Sequence, residues 1–152
     1  MFKGHSICSI DAKSRIILPA FFRKSINPKA ENKFTIMRGL ECCLWLIPSD
    51  VWDNLASEML SLNNPFDKKR RRFNRELFYL NYDVEMDSQN RILIPPELLQ
   101  FANLKKEADL IGLMNIIEIW SPEEKQKYAD SQQEPFEDVA QELSEIFMKK
   151  NG

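Results

Sequence analysis

The chain has 152 residues, 43% of them hydrophobic and 29% charged, a composition that excludes a disordered segment. No apolar run approaches the roughly 20 residues of a membrane span. The start, Met1 to Ser6, lacks a signal peptide's apolar core, and Cys8, Cys42 and Cys43 form neither a disulfide framework nor zinc-ligand spacing, so a cytosolic protein is expected.

The net charge of −2 hides an asymmetry: residues 1–80 carry 14 Lys+Arg against 8 Asp+Glu, and residues 81–152 carry 7 against 15. A basic front half suits a polyanionic partner, although a charge run is equally the mark of a solvated face.

In chain order, Ser6 to Ile10 and Arg15 to Leu18 are β-branched or apolar runs and predict two strands. Asp11-Ala12-Lys13-Ser14 joins them as a tight turn whose Asp can bond backbone amides. Pro19 stops the ladder, and a short helix is expected from Ala20 to Ser25. A second hairpin comes next, with strands Lys33 to Arg38 and Cys42 to Ile47 about a turn at Gly39. Ser49 and Asp50 are candidate caps for a helix carrying Val51, Trp52, Leu55 and Met59. Asn63-Asn64-Pro65 breaks the chain before a second helix, about 68–81, with Phe73, Leu77 and Leu80 on its inward face.

The pattern then starts again. Ile10 to Pro19 reappears as Met86 to Pro95, with Asp, Arg, Ile and Pro coinciding 76 residues on. After a three-residue shortening the match resumes at an offset of 73, pairing Gly39 with Gly112 and Leu46 with Ile119. In this copy a helix is expected from Pro96 to Ala102, then strands at Ala108 to Ile111 and Ile116 to Trp120 about a turn starting at Gly112. Ser121-Pro122-Glu123-Glu124 reads as a capping box opening a helix. Phe136, Val139, Ala140, Leu143, Ile146 and Phe147 form a last apolar stripe, suited to the chain's own core or to a subunit contact. One four-strand unit is too small to be stable alone, so the two copies are expected to close on each other.

The paired Asp-x-x-x-Arg turns, each leading to Ile-x-(Leu/Ile)-Pro, resemble the MraZ family, a tandem form of the AbrB-like swapped-hairpin domain. Met1-Phe2-Lys3-Gly4, Pro19-x-x-Phe22-Arg23 and Glu118-Ile119-Trp120 fit the same pattern. The resemblance implies an α+β fold, with two β-hairpin repeats closing into a pseudo-symmetric AbrB-like barrel flanked by helices. Residues 1–57 and 81–128 would be the repeats, 58–80 a helical connection and 129–152 a C-terminal helix. It also implies a bacterial, nucleoid-associated transcriptional regulator, usually a repressor. Such a protein would form a closed ring of eight or more subunits and bind double-stranded DNA at direct repeats in the promoter of its own division and cell-wall operon. The family usually has Gly before the motif Arg; here Ser14 and Asn90 stand there, and a positive φ would suit Asn better than Ser.

Turn 1 is the more cationic and is expected to touch DNA through Lys13, Ser14 and Arg15, with Lys3, His5 and Arg23 nearby in sequence and Arg91 from turn 2. An Arg at such a turn can pair bidentately with guanine. Asp11 and Asp87 would brace the turns by accepting turn amides and pairing with an Arg, either their own or one across the pseudo-two-fold. The basic run Lys68 to Arg75 would grip phosphate, pair with the acidic half of a neighbouring subunit, or simply face solvent. Trp45, Trp52 and Trp120 read as core, and Cys8 as a buried thiol.

No catalytic signature is present: no phosphate-cradling glycine loop, no HExxH, no nucleophile elbow. No cofactor, metal, membrane or small-molecule substrate is expected. The competing readings are a ring-forming scaffold acting through protein partners, and an AbrB-like antitoxin or developmental regulator.

Overall fold

The computed structural model describes the backbone of residues 1–151 and the side chains of residues 1–149. Within them the first repeat supplies strands β1 (His5–Ser9), β2 (Arg15–Ile17), β3 (Lys33–Arg38) and β4 (Leu44–Pro48). Helix α1 (Ala20–Arg23) and a 3-10 turn (Pro28–Ala30) lie between β2 and β3, and α2 (Ser49–Ser61) and α3 (Lys68–Tyr79) come after β4. The second repeat supplies β5 (Asn81–Glu85), β6 (Arg91–Leu93), α4 (Pro96–Phe101), β7 (Glu107–Leu113), β8 (Ile116–Trp120), α5 (Pro122–Ser131) and α6 (Phe136–Asn151).

The repeats interlock rather than fold side by side. A six-stranded antiparallel sheet runs β1-β7-β8-β4-β3-β5, and β2 pairs only with β6 in a separate ribbon. Exchanging the repeats turns this strand order into its own reverse, so a pseudo-two-fold passes between β4 and β8. The expected local hairpins of β1 with β2 and of β5 with β6 are therefore replaced by pairings across the copies. The physical reason is size: five residues against three make too small a hairpin to bury a face. The swap instead places Ile16 and Ile92, both fully buried, in one core with Phe34, Ile36, Leu46, Leu110 and Ile119 from both repeats. Each such side chain contributes about 1.5–3 kcal/mol on burial.

Three further expectations change. Gly112 lies inside β7, and the reversal falls two residues later, at Met114 and Asn115, with Met114 at φ 63°. The strand runs on because the N-terminal segment is laid against it. Phe2 N–H donates to Met114 O (2.6 Å), Met114 N–H to Phe2 O (2.9 Å) and Gly112 N–H to Gly4 O (2.8 Å). Neither Ser49 nor Asp50 caps α2: Pro48 precedes the helix, the Ser49 hydroxyl donates to Ala30 O, and Asp50 Oδ1 is buried without a partner among the described residues. Side-chain caps do form at Asp67 on α3, Ser121 on α5 and Asn27 on the 3-10 turn.

Helices α2 and α3 cover a second apolar cluster of Met37, Ile47, Leu77 and Ile116 beneath Trp45, Trp52 and Leu55. Leu77 faces inward, whereas Phe73 is 52% exposed. The α6 stripe is not part of the chain's own core, since Phe136, Leu143, Ile146 and Phe147 are all exposed. Of the tryptophans, Trp120 is buried and Trp45 and Trp52 are half-buried.

Candidate nucleic-acid interface

Each Asp-x-x-x-Arg segment folds into the same braced turn. In turn 1, Asp11 Oδ1 accepts from the backbone N–H groups of Lys13 and Arg15, both at 2.9 Å, while Asp11 Oδ2 accepts from Arg15 Nε at 2.8 Å. In turn 2, Asp87 Oδ1 accepts from Gln89 and Arg91 N–H at 2.9 Å, and Oδ2 from Arg91 Nε at 2.7 Å. Each Asp thus pairs with its own Arg, not with one across the pseudo-two-fold. Both carboxyls are held below the ordinary carboxylate range, chiefly by the Arg backbone N–H, with help from the guanidinium and the second turn amide.

Ser14 and Asn90 adopt φ of 64° and 63°, the left-handed conformation that Gly would take most readily. Their carbonyls are engaged by the opposite repeat: Ile94 N–H donates to Ser14 O and Leu18 N–H to Asn90 O, both at 2.9 Å. These two bonds extend the β2–β6 ladder at each end, so neither turn can move without the other.

The ribbon register then aligns the side chains. Ile16 and Ile92 point inward, and alternation sends Arg15, Ile17, Arg91 and Leu93 to the opposite, outer face. Arg15 sits opposite Leu93 and Arg91 opposite Ile17, so the two Arg residues are diagonal neighbours about 7–8 Å apart. Ile17 and Leu93 are 59% and 50% exposed beside them. Only Nε of each guanidinium is engaged by Asp; among the described residues its two Nη groups take no protein acceptor.

The other expected contact residues scatter. Lys13 is exposed on turn 1. Lys3 and His5 precede the turn by the length of β1, roughly 20 Å of extended chain, and the His5 ring instead meets Asp109 at 2.9 Å. Arg23 belongs to turn 2, not turn 1: it lines a hollow with Ile26, Asn32, Met86 and Asn90. Sequence proximity misses Lys106, whose carbonyl accepts from Ile10 N–H at the base of turn 1. Its signal lies in the repeat itself, since a swapped pairing brings the β7 approach to the end of β1.

Glu41, Cys43 and Glu118 place donor atoms within 4.8 Å of one another. Protein groups already account for them. Trp45 and Trp120 indole N–H groups donate to the two Glu118 oxygens (3.3 and 3.1 Å), and the Cys43 thiol to Glu118 (3.6 Å). Burial, with Glu118 and Glu41 close by, pushes the Cys43 thiol far up, so it stays protonated. The Cys8 thiol is half-buried and is also raised by burial. Among the described residues no helix is long and apolar enough to cross a membrane.

Two interlocked copies of one braced turn, on an α+β scaffold of mostly antiparallel strands, define a tandem-repeat protein. The family model described as "MraZ protein, putative antitoxin-like" matches residues 1–76 and again 77–146. The chain belongs to the MraZ family, a regulator-type family and not an enzyme family.

Proposed function

We propose that the protein is a sequence-specific regulator that binds double-stranded promoter DNA through the outer face of the β2–β6 ribbon. The observation that carries this reading is the pair of Asp-braced Arg residues, each with its Nη edge free. Asp11 and Asp87 fix the guanidinium planes through Nε, which leaves the distal edge to meet guanine O6 and N7, at about 1–3 kcal/mol of discrimination per pair. The exposed Ile17 and Leu93 between them suit thymine methyl groups. Lys13 supplies phosphate contact, and Lys106 stands at the base of the same turn. Turn 1 is the stronger reader, because Gln89 and Asn90 in turn 2 replace Lys13 and Ser14.

The wider reading is a nucleoid-associated repressor of its own division and cell-wall operon, assembled as a closed ring of eight or more copies. The antitoxin-like description of the family fits a regulatory role. In this reading the sheet wraps the ribbon as an AbrB-like barrel, supported by the core that both share and by β1 lying beside β2 and β5 beside β6. One ribbon face is a small contact, so affinity must come from several copies on spaced repeats.

The test is fluorescence anisotropy on duplexes from the region upstream of the protein's own coding sequence. Three repeats should bind at least about a hundredfold more tightly than one, with an affinity that falls steeply as salt rises. Equal affinity for one repeat, three repeats and a scrambled duplex would end the proposal.

A further inference from the structure

The two repeats differ most beyond their last strands. In the first, α2 turns Val51, Trp52, Leu55 and Met59 onto the sheet, and α3 folds back over the same cluster through Leu77. The residues 73 positions on are Glu124, Lys125 and Tyr128 in α5 and Gln132 just past its end. Helix α5 therefore offers no apolar platform. Helix α6, which holds in the second repeat the place of α3, finds nothing to fold back on. Its stripe stays in water, with Leu143 at 49%, Ile146 at 60% and Phe147 at 61% exposure.

A matching surface is open on the first repeat. Between α2 and α3 runs an apolar groove floored by Met59, Leu62 and Phe73 and rimmed by Lys69 and Arg70. Leu62 and Phe73 are 68% and 52% exposed. Charge is complementary. Helix α3 carries six Lys and Arg, of which Lys68, Lys69, Arg71 and Arg75 have no acidic partner among the described residues, whereas α6 carries Glu137, Asp138, Glu142 and Glu145.

The geometry points to a second copy of this chain as the occupant: α6 of one protomer seats in the α2–α3 groove of the next. The apolar stripe fills the groove, and the acidic flanks of α6 meet the basic rim. The contact is head-to-tail, because the donating and receiving surfaces differ. Repetition then either closes a ring or runs on as a filament. This deepens the homo-oligomer part of the proposed function and does not depend on DNA binding.

Two double variants of the full chain test it, both at exposed positions so that folding is spared. Leu143→Glu with Ile146→Glu spoils the tail; Leu62→Glu with Phe73→Glu spoils the groove. Native mass spectrometry and light scattering should show the parent chain assembled and each variant alone dissociated, with association weakened about a hundredfold or more. A mixture of the two should form a one-to-one complex, since the groove variant still has a tail and the tail variant still has a groove. The proposal is overturned if either variant assembles like the parent, or if the mixture forms no complex. It is also overturned if the parent is a single chain whose α6 amides resist hydrogen exchange, which would place the helix on its own groove. If the parent remains assembled while the mixture fails, the homo-oligomer reading survives and only this contact falls.

Discussion

Gly112→Ala probes how the N-terminal segment is held. A Cβ at Gly112 would lie 2.4 Å from Lys3 N, 2.6 Å from Phe2 C and 2.7 Å from Lys3 Cα. These are backbone atoms, so the segment must lift away from β7. Lifting it exposes Phe2, which is 3% exposed and packs edge-on against Phe22 at 6.0 Å, at about 2 kcal/mol. It also breaks the three backbone bonds that join Phe2 and Gly4 to Met114 and Gly112, at about 1 kcal/mol each. The ceiling is about 5 kcal/mol. With partial relaxation a loss of about 3 kcal/mol is expected, or roughly 6–12 °C in Tm for a domain of this size. Urea unfolding followed by tryptophan fluorescence measures it. In a chain lacking residues 1–4 the same substitution should cost less than about 1 kcal/mol, because the colliding atoms are gone. Full stability of Gly112→Ala in the intact chain, or an equal loss in both backgrounds, would refute this picture of the clamp.

Ser14→Gly should stabilise the protein by roughly 0.5–1 kcal/mol, the relief of a left-handed Ser outweighing the entropy of Gly, while Asn90→Gly is close to neutral; chemical denaturation decides both. Asp11 and Asp87 have folded-state values below the ordinary one, so their contribution is whole above about pH 4 and fades as pH falls through the depressed values. The Asp11→Asn, Asp87→Asn double variant should therefore lose less stability than the parent between about pH 5 and pH 2, read from acid unfolding curves. Cys43 should resist alkylation at neutral pH until denaturant is added, measured by intact mass.

Much of the scaffold is legible in the sequence because the repeat is written in residues that do mechanical work. Asp11 and Asp87 each accept two turn amides and an Arg side chain, and the positive φ expected of a Gly position is found at Ser14 and Asn90. The swap is not legible at the level of pairing. When β1 and β5 carry the same pattern, alternation cannot say which copy of β2 or β7 a strand will meet. Gly112 misleads for a related reason. Its smallness serves close passage of Phe2 and Lys3, not a turn, and only three dimensions bring those backbones together. Nearness in sequence points Arg23 and His5 toward turn 1. A straight strand and a swapped ribbon carry them elsewhere. The α6 stripe is visible, yet periodicity alone cannot show that α5 has lost the platform to receive it.

In the proposed function, braced guanidinium edges on the β2–β6 ribbon read base sequence. Its most direct test is the ratio of affinities for the promoter repeats and a scrambled duplex at fixed salt, measured for the parent, Arg15→Ala and Arg91→Ala. Arg15→Ala should bring the ratio close to one, Arg91→Ala should lower it less, and both should keep the parent's assembled mass. A ratio unchanged in Arg15→Ala would contradict the claim.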